Sequence, residues 1–277
     1  DIINLGVVHN GSIINGGTGI DTASYANVVT ALTVTVANGN TSATVSDGTN
    51  SNTLQKIEKI IGGDGNDTFI VSNVAGINTL DGDGGTNTLQ LSGSLDLSSV
   101  TLLNFNNILI ANGDTLTLNA VNLDGKTMTI ELQGSGSLVI VGTTTATDFD
   151  FDNITINNTG ASQTGTTTLR LDATVNLVGH NINGTNNIID KILVNSGTVT
   201  LSESQVTSGT VVVNGAGSTV VEVSSSSSAN YSSILQLTTP ANETVKFTGN
   251  STFTGDFGNS NVVVNSGVTL TTTSSKT

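Results

Sequence analysis

The stretch from Ile60 to Ile70 reads IIGGDGNDTFI, and it constrains the fold more than any other part of the chain. Closely spaced glycines permit a tight turn, because glycine adopts positive φ values without a steric penalty. An aspartate follows, and two positions later an apolar residue starts a short strand that points into a core. Related strings, INGGTGIDTAS and LDGDGGTNTLQ, stand at 14–24 and 80–90. The three turns predict stacked coils of short strands.

The residues that close these turns also supply oxygen ligands. Glycine turns can aim carbonyl oxygens at one point, and Ca²⁺ takes six to eight oxygens from carboxylates and carbonyls. We therefore expect calcium sites in the turns, with Asp1 and Asp21 pairing across the first coil. Asn87 replaces the aspartate of the third turn, which predicts a weaker site because an amide brings no charge. The expected ligand residues are Asp1, Gly17, Gly19, Asp21, Gly63, Asp64, Gly65, Asp67, Asp81, Asp83, Gly85 and Asn87.

The spacing of the motifs predicts the size of one coil. Asp1 and Asp21 are 20 residues apart, and Asp67 and Asn87 are again 20 apart. A coil made of two nine-residue glycine-turn repeats would take about 18 residues. Coils of 20 residues are therefore slightly enlarged. Asp21 and Asp67 are 46 apart, which indicates an insertion or two wider coils. That segment contains two alternating strand patterns, LTVTVA at 32–37 and ATVSD at 43–47, separated by a turn.

Two longer strings carry a family resemblance. They are GGTGIDTASYANVVTALTVTV at 16–36 and NTLQKIEKIIGGDGNDTFI at 52–70. This part of the chain, roughly its first third, resembles secreted RTX proteins, which carry haemolysin-type calcium-binding repeats. The resemblance is specific to the superfamily and to no single function. It implies a calcium-binding β-roll that is exported by type I secretion and folds on calcium outside the cell.

The rest of the chain repeats internally without such glycine turns. The string at 108–130 parallels that at 192–213, and a third start, NVVVNSGVTLTT, lies at 261–272. We expect an all-β parallel β-solenoid, with an RTX-like β-roll over 1–90 continuing into a β-helix over 91–277. An antiparallel sandwich is the competing fold. The second segment is loosely similar to repeats of bacterial surface-layer proteins and giant adhesins.

Composition restricts the classes of function. Charged residues make up 10% of the chain, against about 25% in typical soluble domains, and aromatic residues make up 3%. The formal net charge of -14 disfavours nucleic-acid binding and suits cation binding. The chain has no cysteine, which excludes disulfides and zinc-thiolate sites. Neither a signal peptide nor a membrane-spanning run is visible, and both ends interrupt a pattern, so we expect a segment of a longer protein.

Catalytic patterns are weak. His9 and His180 each lie in a turn-like string, far apart in the sequence. Asp148, Asp150 and Asp152 would share one strand face, with two phenylalanines on the other. That face could be a solvated surface, a cation site or an acid/base group, and the first interpretation is the simplest. We therefore expect no enzyme activity and no catalytic residues.

The resulting hypothesis is an extracellular, calcium-stabilised structural protein at the bacterial cell surface. It would form part of a surface layer, adhesin or filament and self-assemble into a lattice or filament. Cell-surface polysaccharide is a possible partner, whereas nucleic acid and membrane insertion are not expected. Two alternatives stay open: an accessory RTX module of a secreted enzyme, and a solenoid that binds glycans or ice.

Overall fold

The computed structural model confirms the predicted fold class, because its strands stack in parallel as a β-solenoid. It describes residues 1–142, 149–159, 163–182, 188–195, 197–202, 205, 212–215, 220–224, 229–230, 244–253 and 261–272. These residues fall into two compact units. Unit 1 comprises Asp1–Leu118, Thr127–Leu138 and Thr155–Gly165, and unit 2 comprises Asn119–Lys126, Val139–Ile154 and Thr166–Thr277. The sequence-based domain boundary at residue 90 lies where the glycine motifs end and does not rest on compactness. It stays a prediction.

The strands are short, as the alternating patterns predict. The first seventeen are β1 Ile2–Asn4, β2 Ile13–Asn15, β3 Thr22–Ser24, β4 Thr33–Val36, β5 Ala43–Ser46, β6 Ser51–Gln55, β7 Lys59–Ile61, β8 Thr68–Val71, β9 Thr79–Asp81, β10 Thr88–Leu91, β11 Leu95–Asp96, β12 Thr101–Leu103, β13 Asn107–Ile110, β14 Thr115–Asn119, β15 Met128–Gln133, β16 Ser137–Gly142 and β17 Ile154–Thr159. The others are β18 Thr166–Leu171, β19 Val175–Asn176, β20 Lys191–Val194, β21 Thr198–Ser202, β22 Val212–Gly215, β23 Val220–Ser224, β24 Ala229–Asn230, β25 Thr244–Phe247, β26 Ser251–Phe253, β27 Asn261–Val264 and β28 Leu270–Thr272. Two 3₁₀ turns, Gly39–Thr41 and Ala120–Asn122, lie between strands.

Unit 1 is built on two main sheets. The first sheet has the order β1-β3-β7-β9-β12, with all neighbours parallel. The second sheet contains β4, β8, β10, β13 and β15 as parallel neighbours. Thr68 pairs with Thr88 across this sheet, and Ile2 pairs with Thr22 across the first. These pairs confirm that the two 20-residue spacings each correspond to one coil.

The long separation between Asp21 and Asp67 reflects an insertion rather than two wider coils. β4, β5 and β6 form an antiparallel meander within the second sheet, and β6 then pairs with β2 in parallel. The strands predicted at 32–37 and 43–47 are thus confirmed as β4 and β5. The meander adds strands to the sheet without interrupting the parallel pairing of β4 with β8.

A buried polar group anchors this meander. Asn52 of β6 is fully buried, and its Oδ1 accepts the main-chain N–H of His9 at 2.8 Å. Its Nδ2 donates to the hydroxyl of Tyr25 at 3.0 Å. Burial raises the pKa of Tyr25 to about 12, against the lowering effect of the Asn52 hydrogen bond. Each polar atom therefore has a partner, as burial of polar groups requires.

Aliphatic side chains in register fill the core of unit 1. In the second sheet one inward row consists of Val34, Phe69, Leu89, Ile108 and Ile130, all at most 1% exposed. Phe69 also meets the ring of Phe105 edge to face, with the centroids 5.1 Å apart. The rows run from coil to coil because a single coil cannot bury its own apolar face, and stacking supplies the core.

Unit 2 repeats the same principle. Its parallel neighbours are β18-β20-β22, β19-β21-β23-β25-β27 and β24-β26-β28. The repeat blocks recognised at 192 and 261 begin within β20 and at β27. Val199, Val221 and Val245 form one of its inward rows. Within the described ranges, no helix is long and apolar enough to cross a membrane.

Candidate functional site

Three polar residues occupy equivalent places in successive coils of unit 1. Asp67, Asn87 and Asn106 each lie directly before a strand of the second sheet, and the register aligns them. Leu32 holds the same place before β4. We call this row of four residues the strand-start ladder. Asp67 and Asn87 are the motif residues that sequence reasoning proposed as calcium ligands.

The first three members of the ladder each donate a main-chain N–H to a side chain in the next coil, whereas Asn106 donates to the carbonyl oxygen of Asn87. Leu32 donates to Asp67 Oδ1 at 2.7 Å, and Asp67 donates to Asn87 Oδ1 at 2.8 Å. Asn87 in turn donates to Asn106 Oδ1 at 2.8 Å. The carbonyl oxygens of Leu32, Asp67 and Asn87 accept N–H groups at the start of the next strand. At each of these three steps, both main-chain polar groups of one residue fasten its coil to the next.

Hydrogen bonds from a main-chain nitrogen to a side chain of the next coil also occur elsewhere in each unit. In the first sheet the α-ammonium of Asp1 donates to Asp21 Oδ1 at 2.8 Å, and Asp21 N–H donates to Glu58 Oε2 at 2.8 Å. In unit 2 the N–H of Thr167 donates to Asp190 Oδ2 at 2.7 Å. Sequence reasoning missed Glu58, Asn106 and Asp190. Their signal is an acid or amide directly before a strand, one coil after a similar position.

Asp67 has both carboxylate oxygens engaged. Its Oδ2 accepts the N–H of Gly63 at 2.7 Å, and the side chain is only 1% exposed. Burial raises the pKa of Asp67, against the lowering effect of the N–H groups of Gly63 and Leu32. The carboxylate thus closes its own turn and joins it to the neighbouring coil.

The turn glycines have two different roles. Gly17, Gly19 and Gly85 adopt positive φ values, as the sequence predicts. For Gly63 and Gly65 that expectation is wrong, because neither is among the positive-φ residues. A side chain is excluded there by close packing instead. A Cβ atom on Gly65 would lie 2.7 Å from the main-chain nitrogen of Ala31.

Asn87 lies in a different chemical environment from Asp67. Its Nδ2 donates to the carbonyl oxygens of Gly84 at 2.8 Å and Asn104 at 3.0 Å, with Asp83 O at 3.5 Å. Its Oδ1 accepts the N–H of Asp67. One N–H and three carbonyls surround this buried side chain, so an amide satisfies the site where a carboxylate would meet repelling oxygens.

Asp21 has an oxygen that lacks a partner. Its Oδ2 is buried without a hydrogen bond, whereas Oδ1 contacts the ammonium of Asp1. This contact is made by the α-ammonium of Asp1, whose side chain is 92% exposed, so the expected pairing of Asp1 and Asp21 as calcium ligands stays a prediction. A buried carboxylate oxygen without a donor has unused capacity for a cation.

Asp64, Asp81 and Asp83 lie on neighbouring turns. Asp81 Oδ1 accepts the N–H of Asp83 at 2.9 Å and the Nδ2 of Asn104 at 2.7 Å. Burial, and then the charges of Asp81 and Asp64, raise the pKa of Asp83. In the part of the chain that the structure describes, no three His, Cys, Asp or Glu side chains are grouped to hold a metal ion. Any calcium site here would need main-chain carbonyls as well.

Unit 2 contains a polar cleft of about 410 Å³ lined by Asp124, Asp150, Asp152, His180 and Asn181. These carboxylates hold the walls of the cleft together. Asp124 Oδ1 accepts the N–H of Asp150 at 2.9 Å, and Asp150 Oδ1 accepts that of Asp152 at 3.0 Å. The Nδ2 of Asn181 donates to Asp152.

The phenylalanines of this segment are buried. Phe149 and Phe151 lie in the core of unit 2, which confirms their predicted apolar role, but the chain around them is irregular rather than a strand. Asp148 lies outside the described residues. His9 is exposed, and His180 is half-buried at the cleft.

Searches for similar proteins found no match to this chain among protein-family models, curated proteins or solved structures.

The first prediction concerns Asp67. Asp67→Ala leaves the N–H groups of Leu32 and Gly63 without their acceptor in a buried turn. Each such loss costs about 1–3 kcal/mol, so we expect a lower free energy of unfolding by chemical denaturation. Asp64→Ala is the control, because Asp64 is exposed on the same turn. Equal stability of the two variants would show that the Asp67 contacts are not stabilising.

The second prediction concerns pH. The pKa of Asp83 is higher in the folded chain than in the unfolded one, so stability falls as pH rises through the folded pKa and stays reduced at neutral pH. Asp83→Asn removes this penalty, and asparagine tolerates the φ of 60° found there. We expect the variant to melt above the parent at about pH 7 and the difference to vanish near pH 3.

The control for this pH prediction is Asp96→Asn. Asp96 Oδ1 accepts the N–H of Ser98, a bond that an asparagine oxygen retains. If Asp83→Asn raised the Tm by the same amount at every pH, the electrostatic explanation would be contradicted.

Proposed function

We propose that this chain is a structural segment of an extracellular, calcium-stabilised assembly at the bacterial cell surface, and that it is not an enzyme. The observation that carries the proposal is how the motif residues are used. The side chains of Asp21, Asp67 and Asn87 each accept a hydrogen bond from a main-chain nitrogen of the preceding coil. Polar groups committed to stacking suit a rigid scaffold better than they suit turnover of a substrate.

Calcium fits one of the three turns better than the others. At Asp21 a buried carboxylate oxygen has no partner, and Gly17 and Gly19 shape the adjoining turn. At Asp67 both oxygens already accept N–H groups, and at Asn87 a nitrogen faces the carbonyls. A bound Ca²⁺ would use the oxygen of Asp21 that has no partner and draw turn carbonyls together. The metal would thereby stabilise the first coil.

Net charge supports a role for calcium in assembly. At a formal charge of -14, copies of the chain repel one another in solution. Divalent cations reduce this repulsion and can bridge carboxylates of neighbouring copies. Export by type I secretion and a surface location follow from the resemblance to RTX proteins. A lattice or filament, with cell-surface polysaccharide as a further partner, completes the proposal.

The third prediction tests calcium binding. Thermal melting in excess EGTA and in millimolar CaCl₂ should show a higher Tm with calcium, because a metal that binds the folded chain stabilises it by mass action. Asp21→Asn should reduce this shift in Tm, since it removes the charge of the carboxylate whose Oδ2 has no hydrogen-bond partner. Asp96→Asn removes an equal charge from the exposed end of β11, and this variant should keep the full shift in Tm.

Assembly is tested on the same samples by electron microscopy. Ordered sheets or filaments that form with calcium and disperse in EGTA are the expected result. Monodisperse particles in both conditions, together with an unchanged Tm, would overturn the proposed function.

A further inference from the structure

The side chain of Asn87, at the end of the turn at 82–87, is enclosed by main-chain carbonyl oxygens. The carbonyl oxygens of Gly84, Asn104 and Asp83 converge on Asn87 Nδ2, at 2.8, 3.0 and 3.5 Å. The side chain is fully buried. Convergent main-chain carbonyls are ligands that hard cations such as Ca²⁺ prefer. Here the two hydrogens of an amide supply the positive partner instead.

The orientation of this amide is fixed by its surroundings. On one side the main-chain N–H of Asp67 donates to Oδ1 at 2.8 Å, so an oxygen is required there. On the other side only acceptors are present among the contacts of Nδ2, so a donor is required. Aspartate would keep the first contact but place an anionic oxygen against three carbonyls.

We propose that Asn87 makes this turn independent of metal, with its amide replacing a carboxylate–cation pair, and that Asn87→Asp converts the turn into a divalent-cation site. In the variant, four oxygens would surround one position: the carboxylate and the three carbonyls. Asp83, whose main-chain carbonyl faces Asn87, and Asp81, which accepts a hydrogen bond from Asn104, add negative charge to this turn. This inference concerns a turn other than that of Asp21 and does not depend on the proposed function.

A neighbouring ladder residue provides a matched control. Asn106 occupies the equivalent position one coil further along, and its Oδ1 accepts the N–H of Asn87 at 2.8 Å. Asn106 is exposed, so its amide is not enclosed by the turn as that of Asn87 is. Asn106→Asp therefore adds the same charge to the same ladder and keeps the acceptor.

The fourth prediction compares the parent, Asn87→Asp and Asn106→Asp by thermal melting in EGTA, in CaCl₂ and in MgCl₂. Isothermal titration with CaCl₂ counts the ions bound per chain. In EGTA we expect Asn87→Asp to melt at least about 5 °C below the parent, because repelling oxygens replace hydrogen bonds. Calcium should remove most of this deficit and bind with one more equivalent than in the parent. Asn106→Asp should show neither effect.

Each outcome decides the inference. If Asn87→Asp is unfolded in EGTA, refolding on addition of calcium, followed by circular dichroism, supports it. A variant as stable as the parent in EGTA overturns it, and so does a deficit that calcium leaves unchanged with no additional ion bound. The change in Tm of the parent on addition of calcium tests the Asp21 turn, and that of Asn87→Asp tests the turn at 82–87. A failure of the proposed function can therefore be told from a failure of this inference.

Discussion

The N–H group at the start of each strand is the constraint on which the stacking depends. This group lies one residue outside the regular ladder, in a turn where a donor without a partner is costly. An oxygen from the side chain of the next coil satisfies it, at Asp67, Asn87 and Asn106 in one row. A coil that accepts such an N–H from the preceding coil has an acid or amide directly before its strand, as at Asp67, Asn87 and Asn106.

This constraint explains why the glycine turns are so conspicuous in the sequence. Glycine residues bring neighbouring turns close enough for the side chain to reach, as the tight approach of Gly65 to Ala31 shows. Whether aspartate or asparagine suits the position then depends on the hydrogen-bond donors and acceptors around its side chain. Two N–H groups face Asp67, whereas one N–H and three carbonyls face Asn87.

The fold could be predicted further than the site. Alternating apolar residues and the 20-residue spacing of Asp67 and Asn87 were sufficient for the parallel coils and their register. The sequence could not distinguish an inserted meander from wider coils, because β4 and β5 alternate like any other strands. The sequence also could not show that Asp67 accepts hydrogen bonds from main-chain N–H groups. An aspartate in this motif can serve either as a metal ligand or as a hydrogen-bond acceptor. Glu58 and Asn106 were missed because neither belongs to a glycine motif.

Residue-resolved amide hydrogen exchange in EGTA tests the strand-start ladder most directly. The N–H groups of Leu32, Asp67 and Asn87 donate to side chains that need no metal. They should therefore be protected to the same degree as the hydrogen-bonded amides within β8 and β10. Exchange as fast as that of exposed turn amides, while the strands remain protected, would contradict the account.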